Sequence, residues 1–528
     1  MSRSFYFTSM NKQTISNFRG FIFLFIAILS VITSSCTMAV KKEKTNTKPN
    51  IIIIMSDDHA YQAISAYDNR FIETPNIDRL AEEGLLFNNS FVTNSICSPS
   101  RAVMLTGKFS HINGLRDNKD TFDGSQQTFP KLLQQAGYQT AIVGKWHLKS
   151  QPTGFDYWNI LPGQGVYYHP DFIEMGEKKR YEGYVTQITS DIAIDWMDNK
   201  RDTNKAFCLL IHHKAVHRTW EPDTSSFDEF KNKQYDLPST FFDDYSSREA
   251  AAAQQMSIRS SDLDLVYDLK MESDSIICRF GKMTHTSRMN AKQKERWEAY
   301  YQPKTSDFLA HHPQGKELDI WKYQRYMQDY LACVRSLDDN IGRILDYLDE
   351  QKLTDNTIII YTSDQGFYLG EHSWFDKRFM YEQSMRTPLI IRYPKQIKAG
   401  QKTDALVQNI DYAPTLLTIA GIDIPKDIQG ISLTPLFENN KLNLRDALYY
   451  HYYEFPNEHM VKRHYGIRTG RYKLIHFYYD IDEWELFDLK TDPDELINQY
   501  NNKEYSEIAK NLHQKLNDLR KQYQDTDF

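Results

Sequence analysis

Four unbroken apolar runs stand out along the chain, and each gives way abruptly to polar, chemically capable side chains. NIIIIM (residues 50–55) runs into SDDH, TAIV (140–143) into GKWH, AFCLLI (206–211) into HHKAVH, and NTIIIYT (356–362) into SDQG. Ile- and Val-rich runs without alternation fit strands covered on both faces, as a parallel sheet requires. Between them the spacing becomes that of helices, in NIDRLAEEGL, TFPKLLQQAGY, ITSDIAIDWMDN and YMQDYLACVRSLDDNIGRILDYLDEQ. The alternation predicts an α/β fold with a mostly parallel central sheet sandwiched by helices. Ligands in such folds gather outside the carboxyl ends of the strands. Four such ends here carry Asp, Lys, His or Gln.

Near residue 430 the pattern changes to short alternating segments, DALYYHYY, HYGIRTGRYKLIHFYY and EWELFDLK, followed by KEYSEIAKNLHQKLNDLRKQY. That predicts a smaller antiparallel sheet with a helix packed on it. The expected division is a catalytic domain over 49–429 and a C-terminal subdomain over 430–528. The stretch 225–320 is irregular and charged, and reads as insertion or lid material. There is no sustained internal repeat.

The N-terminus follows another logic. Arg3, Lys12 and Arg19 precede FIFLFIAILSVI (21–32), which ends in small residues and Cys36. A bilayer span needs about 20 apolar residues, so residues 1–36 read as a secretory signal peptide, with translation starting at Met1 or Met10. The small residues before Cys36 resemble a bacterial lipoprotein processing site, although Thr33 stands where leucine is usual. Cys36 is then the expected lipid acceptor, and 37–48 a flexible tether. The expected location is the periplasm or the cell surface, held to the membrane by a lipid tail.

Composition narrows the function classes. The 528 residues carry a formal net charge of −7 with 25% charged residues and no domain-wide basic excess, so nucleic acid is not an expected partner. The 34 tyrosines suit half-buried strands or a polar, aromatic surface for sugars. Apart from Cys36 and Cys97, the remaining cysteines, Cys208, Cys278 and Cys333, have no framework spacing. Stability is therefore expected from the core rather than from disulfides.

Asp57, Asp58, Asp364 and Gln365 are hard oxygen donors suited to Ca²⁺ or Mg²⁺. Adjacent carboxylates repel unless a cation compensates, yet solvated turn aspartates have the same spacing, and both readings stay open. The segment ICSPSRAVMLTG (96–107) adds what they lack. It strongly resembles the signature of the formylglycine-dependent (type I) sulfatases of the alkaline phosphatase superfamily, in which C-x-P-x-R directs oxidation of the cysteine to an aldehyde. NIIIIMSDDH, GKWH, TSDQG, GEHSWFDKRFMYEQSMRTPLIIRYP and WELFDLKTDPDELIN match further segments of that family in order, from Pro49 to about Tyr500.

The resemblance implies that a maturation enzyme converts Cys97 to formylglycine, whose hydrate attacks sulfur and later expels sulfate. It implies a Ca²⁺ (Mg²⁺ less so) held by Asp57, Asp58, Asp364, Gln365 and the oxygen at position 97. Arg101 would hold the diol, and Lys145 and Lys377 the sulfate oxygens. His147 would take the proton of the second hydroxyl, and His217 would protonate the departing alcohol. Val216 stands where the family often has proline, and His212 and His213 lie close to His217. Pro99 suits the first turn of a helix whose N-terminus would favour the sulfate.

GFDYWNILPGQGVYYHPDF (154–172) resembles the subgroup acting on glycosaminoglycan sugars, especially 6-O-sulfated glucosamine. A sulfated sugar is therefore the expected partner, with His372, Arg463 and His464 as expected substrate contacts. The alternatives are another sugar or aryl sulfatase (iduronate 2-sulfatase-like, for example), a phosphate or phosphonate monoester hydrolase, and an inactive glycan-binding lipoprotein.

Overall fold

The computed structural model describes Met1 and residues 48–526. The expected signal peptide, the acceptor Cys36 and nearly all of the tether lie outside the described residues. Ten strands form the main sheet: β1 (Asn50–Ser56), β2 (Leu85–Phe87), β3 (Gln139–Lys145), β4 (Tyr157–Leu161), β5 (Asp171–Glu174), β6 (Glu177–Arg180), β7 (Phe207–His212), β8 (Thr357–Ser363), β9 (Leu389–Arg392) and β10 (Gln401–Thr403). Their spatial order is β10-β2-β9-β8-β1-β7-β3-β4-β5-β6. The central five, β8-β1-β7-β3-β4, are parallel, and antiparallel strands flank them.

Helices cover both faces, which is why the central strands read as continuous apolar runs. Ile52 and Ile54 of β1 pack with α1 (Pro75–Glu82), α4 (Val185–Asp195) and α6 (Lys316–Glu350). Ile51, Ile53 and Met55 pack on the other side with α2 (Cys97–Thr106), α3 (Phe129–Gln135) and α7 (Tyr412–Ile419). Each isoleucine so buried contributes about 1.5–3 kcal/mol relative to exposure.

A second, antiparallel sheet is formed by β11 (Ala447–Tyr452), β12 (His464–Thr469), β13 (Tyr472–Phe477) and β14 (Glu483–Asp488). Leu512 and Leu516 of the terminal helix α8 (Ser506–Tyr523) cluster with Ile467, Leu474 and Leu486 of that sheet. Val103 of α2 joins the same cluster and ties the small sheet to the helix that begins at Cys97.

Order in the 225–320 stretch exceeds the sequence expectation. Ala291–His311 is a 21-residue helix, α5, opened by a capping box between Asn290 and Gln293. Its mostly polar face and internal Pro303 hid it. Helix α6 also begins earlier than its apolar spacing shows, at Lys316. Among the described residues no disulfide forms, and no helix is long and apolar enough to cross a membrane.

Candidate active site

The site is built where the parallel strands end. Asp57 and Asp58 follow β1, Asp364 and Gln365 follow β8, Lys145 closes β3, and His217 lies in the turn after β7. Parallel neighbours finish at the same edge, so residues distant in sequence meet: the Asp58 N–H donates to Asp364 Oδ1 at 3.2 Å. Gly144 lets β3 run close to β7, since a Cβ there would stand 2.0 Å from the His212 carbonyl oxygen. Gly366 does the same after Gln365, where a Cβ would stand 2.2 Å from the Gln383 carbonyl oxygen. Asp58 (φ 62°), His147 (φ 55°), Asp376 (φ 78°) and Arg378 (φ 90°) occupy the left-handed region. Such strain in non-glycine residues concentrates at functional sites.

Cys97 opens α2, and its Sγ lies 3.6 Å from Asp57 Oδ1 and 3.6 Å from Gln365 Nε2. Lys145 Nζ pairs with Asp57, and Lys377 Nζ lies 2.8 Å from both oxygens of Asp58. Arg101 donates from Nε and Nη2 to Asp364 Oδ2 at 3.0 and 2.9 Å, and from Nη1 to the Lys145 carbonyl at 2.8 Å. His147 Nδ1 lies 3.3 Å from Ser98 Oγ, and the Ser98 hydroxyl donates to the His147 carbonyl at 2.6 Å. His217 sets Nδ1 2.6 Å from the Arg218 carbonyl and Nε2 3.8 Å from Asp58 Oδ2. The six residues given catalytic roles by the resemblance thus stand together with the four oxygen donors.

Three carboxylates and three cations are packed here almost without solvent, with Asp57, Asp58, Asp364 and Lys145 all at 0% exposure. Burial opposes charge on Asp57, but the Lys145 ammonium and its cationic neighbours hold that carboxyl well below the usual range. At Asp58 and Asp364 burial wins, helped by the charge of Asp57, and both carboxyls are raised. Burial, then the Lys145 ammonium, pushes His147 down to about 2, which keeps its ring neutral. The Cys97 thiol is pushed up to about 12 by burial, so it is not a thiolate at neutral pH.

These residues fit a divalent cation. Asp57, Asp58 and Asp364 each offer an oxygen within 4.8 Å of the others. The Gln365 amide nitrogen faces Asp58 and Cys97, and among the described residues its buried Oε1 has no hydrogen-bond partner. An all-oxygen donor set suits a hard ion. A cation and an anionic ester arriving together would leave the local charge nearly balanced.

The sulfatase description matches residues 49–422, and that of N-sulphoglucosamine sulphohydrolase, C-terminal, matches residues 370–522. The chain belongs to the sulfatase family. It is 50% identical over 516 residues to an N-acetylglucosamine-6-O-sulfatase of Bacteroides thetaiotaomicron, spanning 96% of this sulfatase and 91% of that one. An arylsulfatase of Clostridium perfringens is 27% identical over 508 residues, spanning 87% and 92%. A solved structure of a protein in complex with its substrate D-glucosamine-2-N,6-O-disulfate superposes with a TM-score of 0.88 at 52% identity, covering 91% of this sulfatase and 99% of that chain. A phosphonate monoester hydrolase of Agrobacterium radiobacter, with a TM-score of 0.67 at 19% identity over 90% and 96%, shares the fold alone.

The expected sugar contacts divide. Arg463 is part-exposed at the edge of an open cleft with Arg116, Asp117 and Tyr479, where it pairs with Asp480 at 3.0 Å. His464 is fully buried, accepting from the Met380 N–H at 3.0 Å and facing the Lys462 carbonyl at 2.8 Å. His372 is also fully buried, 2.7 Å from Asp243 Oδ2 and packed against Trp374 and Tyr381. Both histidines are enclosed by packing in this structure, and among the described residues His372 Nε2 has no hydrogen-bond partner. Sequence reasoning also passed over Asp376 and Arg378, which flank Lys377. Arg378 bridges Asp376 at 2.9 Å and Glu454 at 3.2 Å, linking the catalytic part to the loop after β11. The side chains in FDKRF are informative only once the fold shows which of them turn inward.

Proposed function

We propose that this sulfatase hydrolyses the 6-O-sulfate ester of glucosamine or N-acetylglucosamine residues from glycosaminoglycans, using a formylglycine formed from Cys97 and a bound Ca²⁺. The observation that carries the reading is the convergence of Cys97, Arg101, Lys145, His147, His217 and Lys377 on the Asp57–Asp58–Asp364–Gln365 cluster. Support for the substrate comes from the relative named for N-acetylglucosamine 6-O-sulfate and from the related structure holding a 6-O-sulfated glucosamine. A maturation enzyme that oxidises Cys97 is the implied partner.

Asp57, Asp58, Asp364 and Gln365 would hold the cation, which polarises a sulfate when bound. The formylglycine would supply a nucleophile renewable by elimination, with Cys97 Sγ marking where its oxygen lies. The other groups have roles that follow from their positions. Arg101, locked to Asp364 and the Lys145 carbonyl, fixes the floor beneath position 97. Lys145 and Lys377, now turned to Asp57 and Asp58, are the cations available to sulfate oxygens. Neutral His147 would be the base. His217 has its Nδ1 anchored on the Arg218 carbonyl and its Nε2 3.8 Å from Asp58, and burial keeps its ring neutral before substrate arrives. It would act at the departing oxygen.

The test joins two measurements on protein co-produced with a formylglycine-generating enzyme. Peptide mass spectrometry is expected to show Cys97 as an aldehyde, and ion chromatography to show sulfate released from 6-O-sulfated N-acetylglucosamine in a chelator-sensitive way. Aldehyde-bearing, metal-loaded protein that frees no sulfate from that sugar defeats the reading. We also propose export and lipid attachment at Cys36, which a Cys36→Ser change should convert from membrane-bound to released protein on cell fractionation.

A further inference from the structure

A cavity of about 280 Å³ adjoins the catalytic groups, and His217 lies in its wall beside Tyr167, Lys214, Glu221 and His285. That is near the lower end of small-molecule sites, about 300–1,000 Å³. The charged groups around it are paired with one exception. Arg218 is held by Asp268 at 2.6 and 2.8 Å and reaches Glu458 at 3.1 Å. Glu221 accepts from His285 Nδ1 and from the Thr219 hydroxyl, both at 2.9 Å. Arg288 pairs with Asp171 at 3.2 Å.

Lys214 differs. It is only 4% exposed, and among the described residues no carboxylate forms an ion pair with it. Its ammonium lies over the face of Tyr167, 4.8 Å from the ring centroid. Burial pushes that ammonium down to about 8, which still leaves it mostly charged at neutral pH. The position is fixed by the catalytic turn itself. The His217 N–H donates to the Lys214 carbonyl at 3.0 Å, and the Tyr167 hydroxyl donates to the His217 carbonyl at 2.6 Å. A buried charge left without an anion is costly, and a cavity wall is where a ligand can complete it.

We infer that Lys214 is a specificity-determining residue that binds a second anionic group of the substrate while the 6-O-sulfate lies at position 97. The inference rests on the reading of the substrate as a sulfated glucosamine. The shared chemistry is an oxygen anion, supplied either by a sulfamate on the glucosamine nitrogen or by the carboxylate of an adjoining uronic acid. Glu221, in the same cavity lining and already engaged through one oxygen by His285 and Thr219, leaves its other carboxylate oxygen for sugar hydroxyls rather than for the anion.

The test compares wild type, Lys214→Met and Lys214→Arg on three substrates. These are 6-O-sulfo-N-acetylglucosamine, glucosamine 2-N,6-O-disulfate, and a disaccharide joining the first sugar to a uronic acid. Loss of a charge-assisted contact is expected to lower kcat/KM of Lys214→Met by about 10–100-fold on a doubly anionic substrate. The change should fall mainly on KM, should stay below about threefold on the singly charged sugar, and should be largely rescued in Lys214→Arg. Loss confined to the disulfate identifies the sulfamate, and loss confined to the disaccharide identifies the carboxylate. Equal loss on all three substrates, or no loss on any, overturns the assignment. Should wild type release no sulfate from any of the three, the substrate reading has failed and the Lys214 assignment goes with it.

Discussion

Two clusters of buried charge lie only a few residues apart on the segment from Asp376 to Glu382, and they differ in what their donors leave over. On the small sheet, Lys473 sits 2.9 Å from Glu382 and 2.6 Å from Glu495, and Arg468 reaches both oxygens of Glu382 at 3.1 and 3.2 Å. Glu495 also accepts from the Glu382 N–H at 2.7 Å. That cluster is completed by the chain itself. At the strand ends, Asp58 and Asp364 are raised by burial, and Gln365 Oε1 remains without a partner. That cluster, although its carboxylates pair with Lys145, Lys377 and Arg101, still offers an oxygen set that a divalent cation could use. Ion pairing alone does not separate the two; convergent carboxylate oxygens and strained backbone at Asp58 and His147 mark the site.

Three changes probe the contrast. Lys145→Ala and Lys377→Ala in metal-loaded, matured protein are expected to lose about 10²–10³ in turnover each, the cost of removing one preorganised donor. Their melting temperatures should change little. Near-normal sulfate release in either variant would remove that lysine from the chemistry. Lys473→Met leaves Glu495 buried without its cation and Glu382 with Arg468 alone, and is expected to cost about 3–5 kcal/mol of stability. Turnover per folded molecule should remain close to wild type, so denaturant titration and active-site-normalised kinetics together decide the point.

The smallest effect belongs to Asp243, which ties the 225–320 stretch to the core through His372 at 2.7 Å and pairs within the stretch with Arg248 at 2.6 Å. Burial opposes its charge, but His372, Arg248 and the Tyr245 N–H together lower its carboxyl to about 2. A depressed carboxyl adds stability that is present above its ordinary value of 3.8 and lost as pH falls through about 2. The stability gap between wild type and Asp243→Asn should therefore narrow between those two pH values. A gap constant with pH would show that Asp243 contributes through shape rather than charge.

Much of the site was legible because strand ends in a parallel sheet are predictable places. NIIIIM and NTIIIYT read as buried strands, and their register as neighbours explains why Asp58 and Asp364 touch. The motif around Cys97 carried its own meaning. Less was legible around the rim. His372 and His464 look like free polar groups in GEHSW and KRHYG, but the packing of Trp374, Tyr381 and Phe379 encloses them. Helix α5 stayed hidden because a polar surface helix has a weak apolar period.

The sequence by itself determined the layered α/β fold and singled out Asp57, Asp58, Asp364, Gln365 and Cys97 as candidates, because local pattern and motif chemistry are written in adjacent residues. Only the tertiary structure decided which charges are paired and which are left over. Lys214, Lys473 and Arg378 read alike as basic residues along the chain. One stands over Tyr167 with no ion-pair partner among the described residues, one is locked between two glutamates, and one bridges Asp376 to Glu454. Burial and distance set the energy of a charge, and neither exists before the chain has folded.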